Sequence, residues 1–174
     1  MSSWDDYMIN VARTQIDDWG TTQVYSDDDL KRKLFVAAQQ IYWMATPVAP
    51  FDYTYEFTMP SGDVSTWDIT PDPIYTSKDD EFVLLWSMKF LCDQVKYGMV
   101  KSAGNAIKIK DGDSSIDTSA GLGGYKELLA NDNGPCELFS QAWTNYTTGN
   151  FNAQFYSNFV TDYLIPNYVH LDRD

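Results

Sequence analysis

The amino-acid sequence predicts a mainly α-helical protein: a small helical bundle around a central apolar helix, with a β-hairpin insertion and an extended C-terminal arm. Two segments near the N-terminus repeat apolar residues every three or four positions, the period of an amphipathic helix. Residues 82–91 are apolar almost all round, as in a helix surrounded by others. Residues 51–59 instead alternate apolar and polar, the period of a strand with one buried face.

The first helix is predicted from Trp4 to Asp18. Its apolar side consists of Trp4, Met8, Val11, Ala12 and Ile16. The second helix is predicted to begin after Ser26, whose hydroxyl can accept a hydrogen bond from a first-turn N–H. The acids at 27–29 fit this position, because the helix dipole stabilises negative charge at the N-terminus of a helix. Pro47 ends this helix. Its apolar stripe consists of Leu30, Leu34, Ala37, Ala38, Ile41 and Ala45.

The hairpin insertion pairs a strand from Phe51 to Met59 with a second strand from Val64 to Thr70. Pro60-Ser61-Gly62-Asp63 between them is a typical turn sequence. Because a lone two-stranded ribbon is barely stable in water, it must lie on the helices or against another subunit.

The central helix is predicted to open at the acids of 79–81 and to run to about Lys101. A second, smaller hairpin follows over 106–118, turning at Asp111-Gly112. Two short helices are predicted beyond it, at 125–130 and 137–146.

These elements divide the chain into a helical domain, residues 1–148 with the hairpin insertion at about 51–70, and an aromatic arm, residues 149–174. Aromatic side chains in the arm recur four residues apart. Two interpretations remain open: an amphipathic helix folded back on its own core, or an arm that buries its aromatic anchors in a neighbouring protein. The candidate partner-binding residues of arm and hairpin are Phe151, Phe155, Tyr156, Phe159, Tyr163, Tyr53, Tyr55 and Trp67.

The charge balance excludes some classes of function. Twelve Lys and Arg against 25 Asp and Glu give a net charge of −13, which opposes tight binding to DNA or RNA phosphate. No 18-residue apolar run is present, so no membrane-spanning helix is predicted. The N-terminus lacks the features of a secretory signal, so we expect the protein to be made in a cytoplasm and to stay there until it is assembled.

The residues that usually carry chemistry are sparse. Cys92 and Cys136 lie far apart without C-x-x-C spacing, so we expect packed or surface thiols and neither a disulfide nor a metal site. His170, the single histidine, lies near the C-terminus, which removes most histidine-based mechanisms. The glycines of 121–124 do not join a strand to a helix as in a phosphate-binding loop.

Acidic clusters invite two further hypotheses, a calcium loop and a catalytic carboxylate pair. Four residues are spaced like the first ligands of a calcium loop: Asp111, Asp113, Ser115 and Asp117. Ile116 then stands where the loop needs glycine, and Leu122 where it needs glutamate, so a hairpin turn explains the pattern better. Most carboxylate pairs lie at predicted helix starts, where capping and the helix dipole account for them. We therefore expect no enzyme, no metal and no cofactor.

Three stretches resemble the head–tail connector, or neck adaptor, proteins of tailed bacteriophages. They are the capped helix of 26–43, the apolar helix opened by Asp79-Asp80 and running through Leu84-Leu85, and the segment 107–119 that leads to Tyr125. Together they cover about residues 26–130, and the resemblance lies in the order of the elements and in their apolar and polar patterns. The hairpin insertion and the aromatic arm depart from the family's pattern.

The resemblance implies a non-enzymatic virion protein that forms a ring of twelve copies at the neck. Such a ring docks on the portal protein, extends the DNA channel and receives the stopper or tail protein. An acidic wall suits a channel through which the genome passes without tight binding. A ring also needs a patch on one copy that meets a different patch on the next, and the hairpin and arm are candidates.

Two alternatives from other classes remain. An acidic DNA-mimic inhibitor would use the charge to imitate phosphate, although here the carboxylates cluster at helix starts and Lys31-Arg32-Lys33 interrupts them. A carbohydrate-binding module would use the twelve tyrosines and six tryptophans, although such modules are usually all-β.

Overall fold

A computed structural model describes residues 4–18, 23–74, 80–104, 108–111, 114–117 and 134–152 of the protein. At residue 80, over 98–104 and in the two strands of 108–117 the description is of the backbone. The elements, in chain order, are α1 (Trp4–Gln15), α2 (Asp27–Ala45), β1 (Glu56–Thr58), β2 (Asp68–Thr70), α3 (Asp80–Gly104), β3 (Lys108–Asp111), β4 (Ser114–Asp117) and α4 (Pro135–Thr147). The predicted fold class, mainly helical with a β-hairpin, is confirmed.

The helix α3 is the centre of the bundle, and α1, α2 and α4 each pack against it. Phe82, Leu85 and Trp86 are fully buried, as the lack of a polar face over 82–91 predicted. The predicted central helix is therefore confirmed, and it ends three residues beyond the expected Lys101.

The predicted cap and apolar stripe of α2 are both confirmed. The Ser26 hydroxyl accepts a 3.1 Å hydrogen bond from the main-chain N–H of Asp29. The whole predicted stripe is buried: Leu30, Leu34, Ala37, Ala38, Ile41 and Ala45.

The helix α1 ends at Gln15, three residues earlier than predicted. Asp17 adopts a left-handed conformation with φ of 53°, and the Asp18 N–H donates to the Arg13 carbonyl over 2.9 Å. The Asp17 N–H donates to the Thr14 carbonyl over 3.4 Å. This pair of bonds is the Schellman arrangement that closes helix C-termini, here with aspartate where glycine is usual.

The hairpin of 51–70 forms, but its strands are much shorter than predicted. β1 and β2 pair antiparallel over three residues each, with Phe57 opposite Ile69. Val64–Thr66 instead form a 3₁₀ turn, because the Asp63 carboxylate accepts a 2.9 Å hydrogen bond from the Ser65 N–H. Burial still alternates from Phe51 to Thr58, so the predicted inward face is present there even where the ladder is not, whereas Met59 at its end is exposed.

The remaining predicted elements have mixed outcomes. β3 and β4 pair antiparallel, with Lys108 opposite Asp117, which confirms the second hairpin. α4 begins at Pro135, two residues before the predicted start at 137, because proline costs no hydrogen bond in the first turn of a helix. The predicted helix of 125–130 and the arm from residue 153 onwards lie outside the described residues.

The prediction of two free thiols is wrong, because Cys92 and Cys136 form a disulfide. The packing of α4 on α3 brings their Cα atoms to 4.6 Å, within the range that a disulfide spans. The two cysteines are 44 residues apart in sequence, and only tertiary packing makes them neighbours.

Candidate interaction surface

The hairpin residues expected to bind a partner mostly face their own chain. Tyr55 is only 3% exposed, and its ring stacks on Phe82 with centroids 4.8 Å apart. It also meets Tyr42 of α2 edge-on at 5.8 Å. In this conformation the ring of Tyr55 is a core element, and the ribbon lies on the helices of its own chain.

Two other hairpin candidates, Tyr53 and Trp67, are half-buried. The ring of Trp67 lies 5.2 Å from Phe35, and its indole N–H donates to the Pro60 carbonyl over 3.3 Å. Tyr53 packs beside Tyr55 at 6.3 Å. Both keep an outer edge that a partner can contact.

Among the arm candidates, Phe151 is the one that the structure describes. It is half-buried and meets Tyr146 of α4 edge-on at 5.9 Å. Tyr146 in turn stacks on Phe51 at 5.0 Å, so the start of the hairpin and the start of the arm share one aromatic cluster. Phe155, Tyr156, Phe159 and Tyr163 lie outside the described residues.

A different apolar surface is exposed on α2 and the turn that follows it. Val36 is 42% exposed, Trp43 61%, Met44 40% and Val48 62%. These four residues are called the α2 patch below. Single exposed apolar residues are ordinary on a protein surface, whereas a group that includes a tryptophan is typical of an interaction site.

The geometry of α2 places two residues of the patch on one side of the helix. Val36 and Trp43 are seven residues apart, so they lie on one side of the helix, roughly opposite the buried stripe. The N–H groups of Val48 and Ala49 both donate to the Ala45 carbonyl, over 2.9 and 2.8 Å. This turn keeps Val48 next to the C-terminal end of the helix.

The α2 patch was missed at the level of sequence because the buried stripe alone accounts for the helix. The signal that could have found it is the position of Val36 and Trp43, which are apolar but off that stripe. An amphipathic helix normally places polar residues there.

Exposed carboxylates outnumber exposed cations among the described side chains. Among described side chains, four of the cations already contact internal acceptors: Arg13 on Asp18, Lys31 on Asp5, Lys33 on Gln94 and Lys89 on Asp93. Arg32 and Lys96 are exposed. The exposed carboxylates include Asp6, Asp17, Asp27, Asp28, Asp29, Asp52, Glu56, Asp63 and Asp68.

One of the acidic clusters contributes to the structure through a buried ion pair. The Arg13 guanidinium donates to the Asp18 carboxylate over 2.8 Å, with both side chains buried. The Val24 N–H donates to the same carboxylate over 2.7 Å, the largest of the effects that lower the pKa of Asp18. Hydrogen bonds from Tyr25 and the charge of Arg13 lower this pKa further, against the effect of burial. Asp18 therefore joins the end of α1 to the segment that leads into α2.

Asp72 is a second structural carboxylate. It accepts hydrogen bonds from the N–H groups of Trp4, over 2.9 Å, and Ile74, over 3.0 Å. Burial is the main effect on its pKa and raises it, and the nearby charges of Asp68 and Asp5 act in the same direction. Within the described residues, the His, Cys, Asp and Glu side chains do not form a group of three or more that could hold a metal ion.

No protein-family model matches the chain, and neither characterised proteins nor solved structures give a significant match. Within the described parts of the chain, none of the helices combines the length and hydropathy needed to cross a bilayer.

Proposed function

We propose that the protein is a structural subunit of the head–tail junction of a tailed bacteriophage. In this role, copies form a ring that docks on the portal protein, extends the DNA channel and receives the stopper or tail protein. The observation that carries the proposal is the α2 patch, an apolar surface exposed on an otherwise acidic, folded helical body. Such a surface is typical of a protein that is buried in an assembly.

The distribution of charge supports the role in a DNA channel. Several cations are engaged in internal contacts, whereas many carboxylates remain in water. A wall with this charge repels phosphate, so the genome can pass without being held. A net charge of −13 also limits association away from apolar contact surfaces.

The disulfide supports a mature particle as the final location. Disulfides are rare in a reducing cytoplasm and persist on the surfaces of virions. The Cys92–Cys136 bond can form after assembly in the host cytoplasm, when the particle reaches an oxidising medium. The bond would then link α4 covalently to the central helix α3 of the assembled protein.

The proposal assigns contact surfaces as well as a location. The outer edges of Tyr53 and Trp67 on the hairpin are expected to meet the portal, stopper or tail protein. Phe155, Tyr156, Phe159 and Tyr163 of the aromatic arm are expected to bury their rings in a neighbouring protein, whereas Phe151 packs on Tyr146 of its own chain.

Co-expression with the portal protein of the same virus tests the proposal. A tagged copy of the full chain should co-purify with the portal in a complex with equal numbers of the two subunits, measured by mass photometry and gel densitometry. The portal of an unrelated virus is the matched control and should not co-purify. A chain that stays separate from its own portal at micromolar concentrations contradicts the proposal.

A further inference from the structure

We infer that the α2 patch of one copy is the docking site for the aromatic segment 153–174 of a neighbouring copy. The inference rests on the proposed function, because it names the contact that would join adjacent subunits of the ring. The patch is exposed in the described part of the chain, with Trp43 at 61% and Val48 at 62%, so an interaction is needed to remove it from water.

The described chain ends close to the α2 patch. The Tyr146 hydroxyl of α4 donates a 2.8 Å hydrogen bond to the carbonyl of Ala49, the residue after Val48. Phe151 then packs on Tyr146 at 5.9 Å, and the described chain ends at Asn152. The segment 153–174 therefore starts at the patch end of the molecule.

Its length lets this segment reach the next copy. At roughly 3.3 Å per residue, 153–174 can span about 70 Å when extended. A folded domain of about 150 residues has a radius of gyration of about 15 Å, so an adjacent subunit lies well within that distance. Each copy can then give its segment to one neighbour and receive the segment of the other, the head-to-tail contact that a ring requires.

Charge favours this pairing over other contacts between copies. Two molecules of −13 repel each other wherever their carboxylates approach. The stretch 34–51, which contains the α2 patch, has no charged residue, and neither has 153–161. The two stretches are rich in aliphatic and aromatic side chains, which supply the apolar area that an interface core needs.

Crosslinking between two differently tagged populations of the full chain tests the inference. One population carries Val48→Cys and the other Phe155→Cys, and a short bismaleimide joins free thiols without opening the native disulfide. We expect a heterodimer band from the mixture, both for the isolated chain at high concentration and within the portal complex. The matched control, Asp28→Cys with Phe155→Cys, places the thiol at the exposed opposite end of α2 and should give at least fivefold less product.

The outcomes separate this inference from the proposed function. A portal complex that forms without the Val48–Phe155 product overturns the inference and leaves the function standing. A chain that does not bind its portal, but forms the Val48–Phe155 crosslink between isolated copies, overturns the proposed function and supports the contact. A product found solely within one chain, in the double variant Val48→Cys/Phe155→Cys, overturns the inference because the segment then covers its own patch.

A point variant gives a second readout. Trp43→Gln should weaken self-association in sedimentation at least tenfold, with an unchanged melting temperature, because the side chain is mostly in water. Val24→Gln is the matched control, since Val24 is 80% exposed but lies outside the patch. Equal association of the Trp43 variant and the parent would overturn the docking site.

Discussion

The indole N–H of Trp86 donates a 2.7 Å hydrogen bond to the main-chain carbonyl oxygen of Leu34. Trp86 is on the central helix α3 and Leu34 is on α2, and both side chains are buried. The bond satisfies the one polar group of a large aromatic side chain in the core, which otherwise costs free energy on burial. It also fixes how α2 lies on α3, and therefore which side of α2 faces the solvent as the α2 patch.

The substitution Leu85→Ala tests whether α3 is the core of the fold. Leu85 is fully buried, so truncation should lower the free energy of unfolding by roughly 2–5 kcal/mol through lost burial and a cavity. Urea denaturation followed by circular dichroism measures the loss. Lys96→Ala on the exposed side of the same helix is the control and should change it by less than about 0.5 kcal/mol. Equal stability of the two variants would show that α3 is not central.

The Trp86–Leu34 bond predicts a smaller effect at the neighbouring position. Trp86→Phe removes the indole donor but keeps an aromatic ring, so we expect a loss of about 1–3 kcal/mol from the missing bond and reduced packing. The same urea titration measures it. A variant as stable as the parent would mean that the bond contributes little to the packing of α2 on α3.

The pKa of Asp18 predicts a specific dependence of stability on pH. Its folded-state pKa is held below the ordinary value of 3.8, chiefly by the hydrogen bond from the Val24 N–H. The stabilisation is therefore present above pH 3.8 and is lost as the pH falls through the lowered folded-state value. Asp18→Asn should lower the melting temperature at pH 7, and the gap between variant and parent should shrink as the pH falls below 3.8.

Asp72 affects the pH dependence of stability in the opposite direction, but equally in the parent and in Asp18→Asn, so the gap between the two reports Asp18. The pKa of Asp72 is raised by burial, so its contribution is present at low pH and lost as the pH rises through the raised value. Asp17→Asn keeps a side chain that tolerates the left-handed conformation and leaves the ion pair intact. Its melting temperature at pH 7 should match that of the parent, and a constant gap for Asp18→Asn between pH 3 and pH 7 would contradict the assignment.

Reduction of the Cys92–Cys136 disulfide should destabilise the protein without unfolding it at room temperature. A cross-link that closes a loop of this length contributes typically 2–4 kcal/mol by restricting the unfolded chain. Urea denaturation with and without reductant measures the difference, and the double variant Cys92→Ala/Cys136→Ala should be insensitive to reductant. Two free thiols in the protein from an oxidising buffer would contradict the bond.

Removal of residues 153–174 separates a docking arm from a part of the core. Phe151 packs on Tyr146, so a truncation after Asn152 spares a contact that a deletion from Gly149 would destroy. We expect the truncated chain to keep nearly all its helical content and melting temperature, measured by circular dichroism, yet to fail to join the ring or the portal. Unfolding of the truncated chain would instead assign the arm to the core.

The sequence was sufficient for the parts of the fold that depend on local patterns. Ser26 and the stripe through Leu34 and Ile41 set the start and the buried side of α2, and the structure agrees with both. The all-round apolar run identified α3 as central. In each case a side chain's spacing along one element determines the outcome, which is the information that a single sequence contains.

The contacts between distant segments could not be predicted in this way. Nothing local joins Cys92 to Cys136, since the packing of α4 on α3 brings them together. The length of β1 was overestimated because alternation indicates which side of a strand is buried, whereas a β-ladder also needs a partner strand. The first residues of the predicted partner, Val64–Thr66, form a 3₁₀ turn capped by Asp63. The α2 patch depends on what covers α2, which is likewise a tertiary property.

The copy number of this protein in purified virus particles tests the proposed role most directly. Quantitative mass spectrometry against labelled peptides of this chain and of the portal protein measures the ratio, and a gold-labelled tag locates the protein in electron micrographs. The proposal predicts one copy for each portal subunit, with the label at the junction of head and tail. Absence of the protein from washed particles, or a label spread over the head or along the tail, would contradict it.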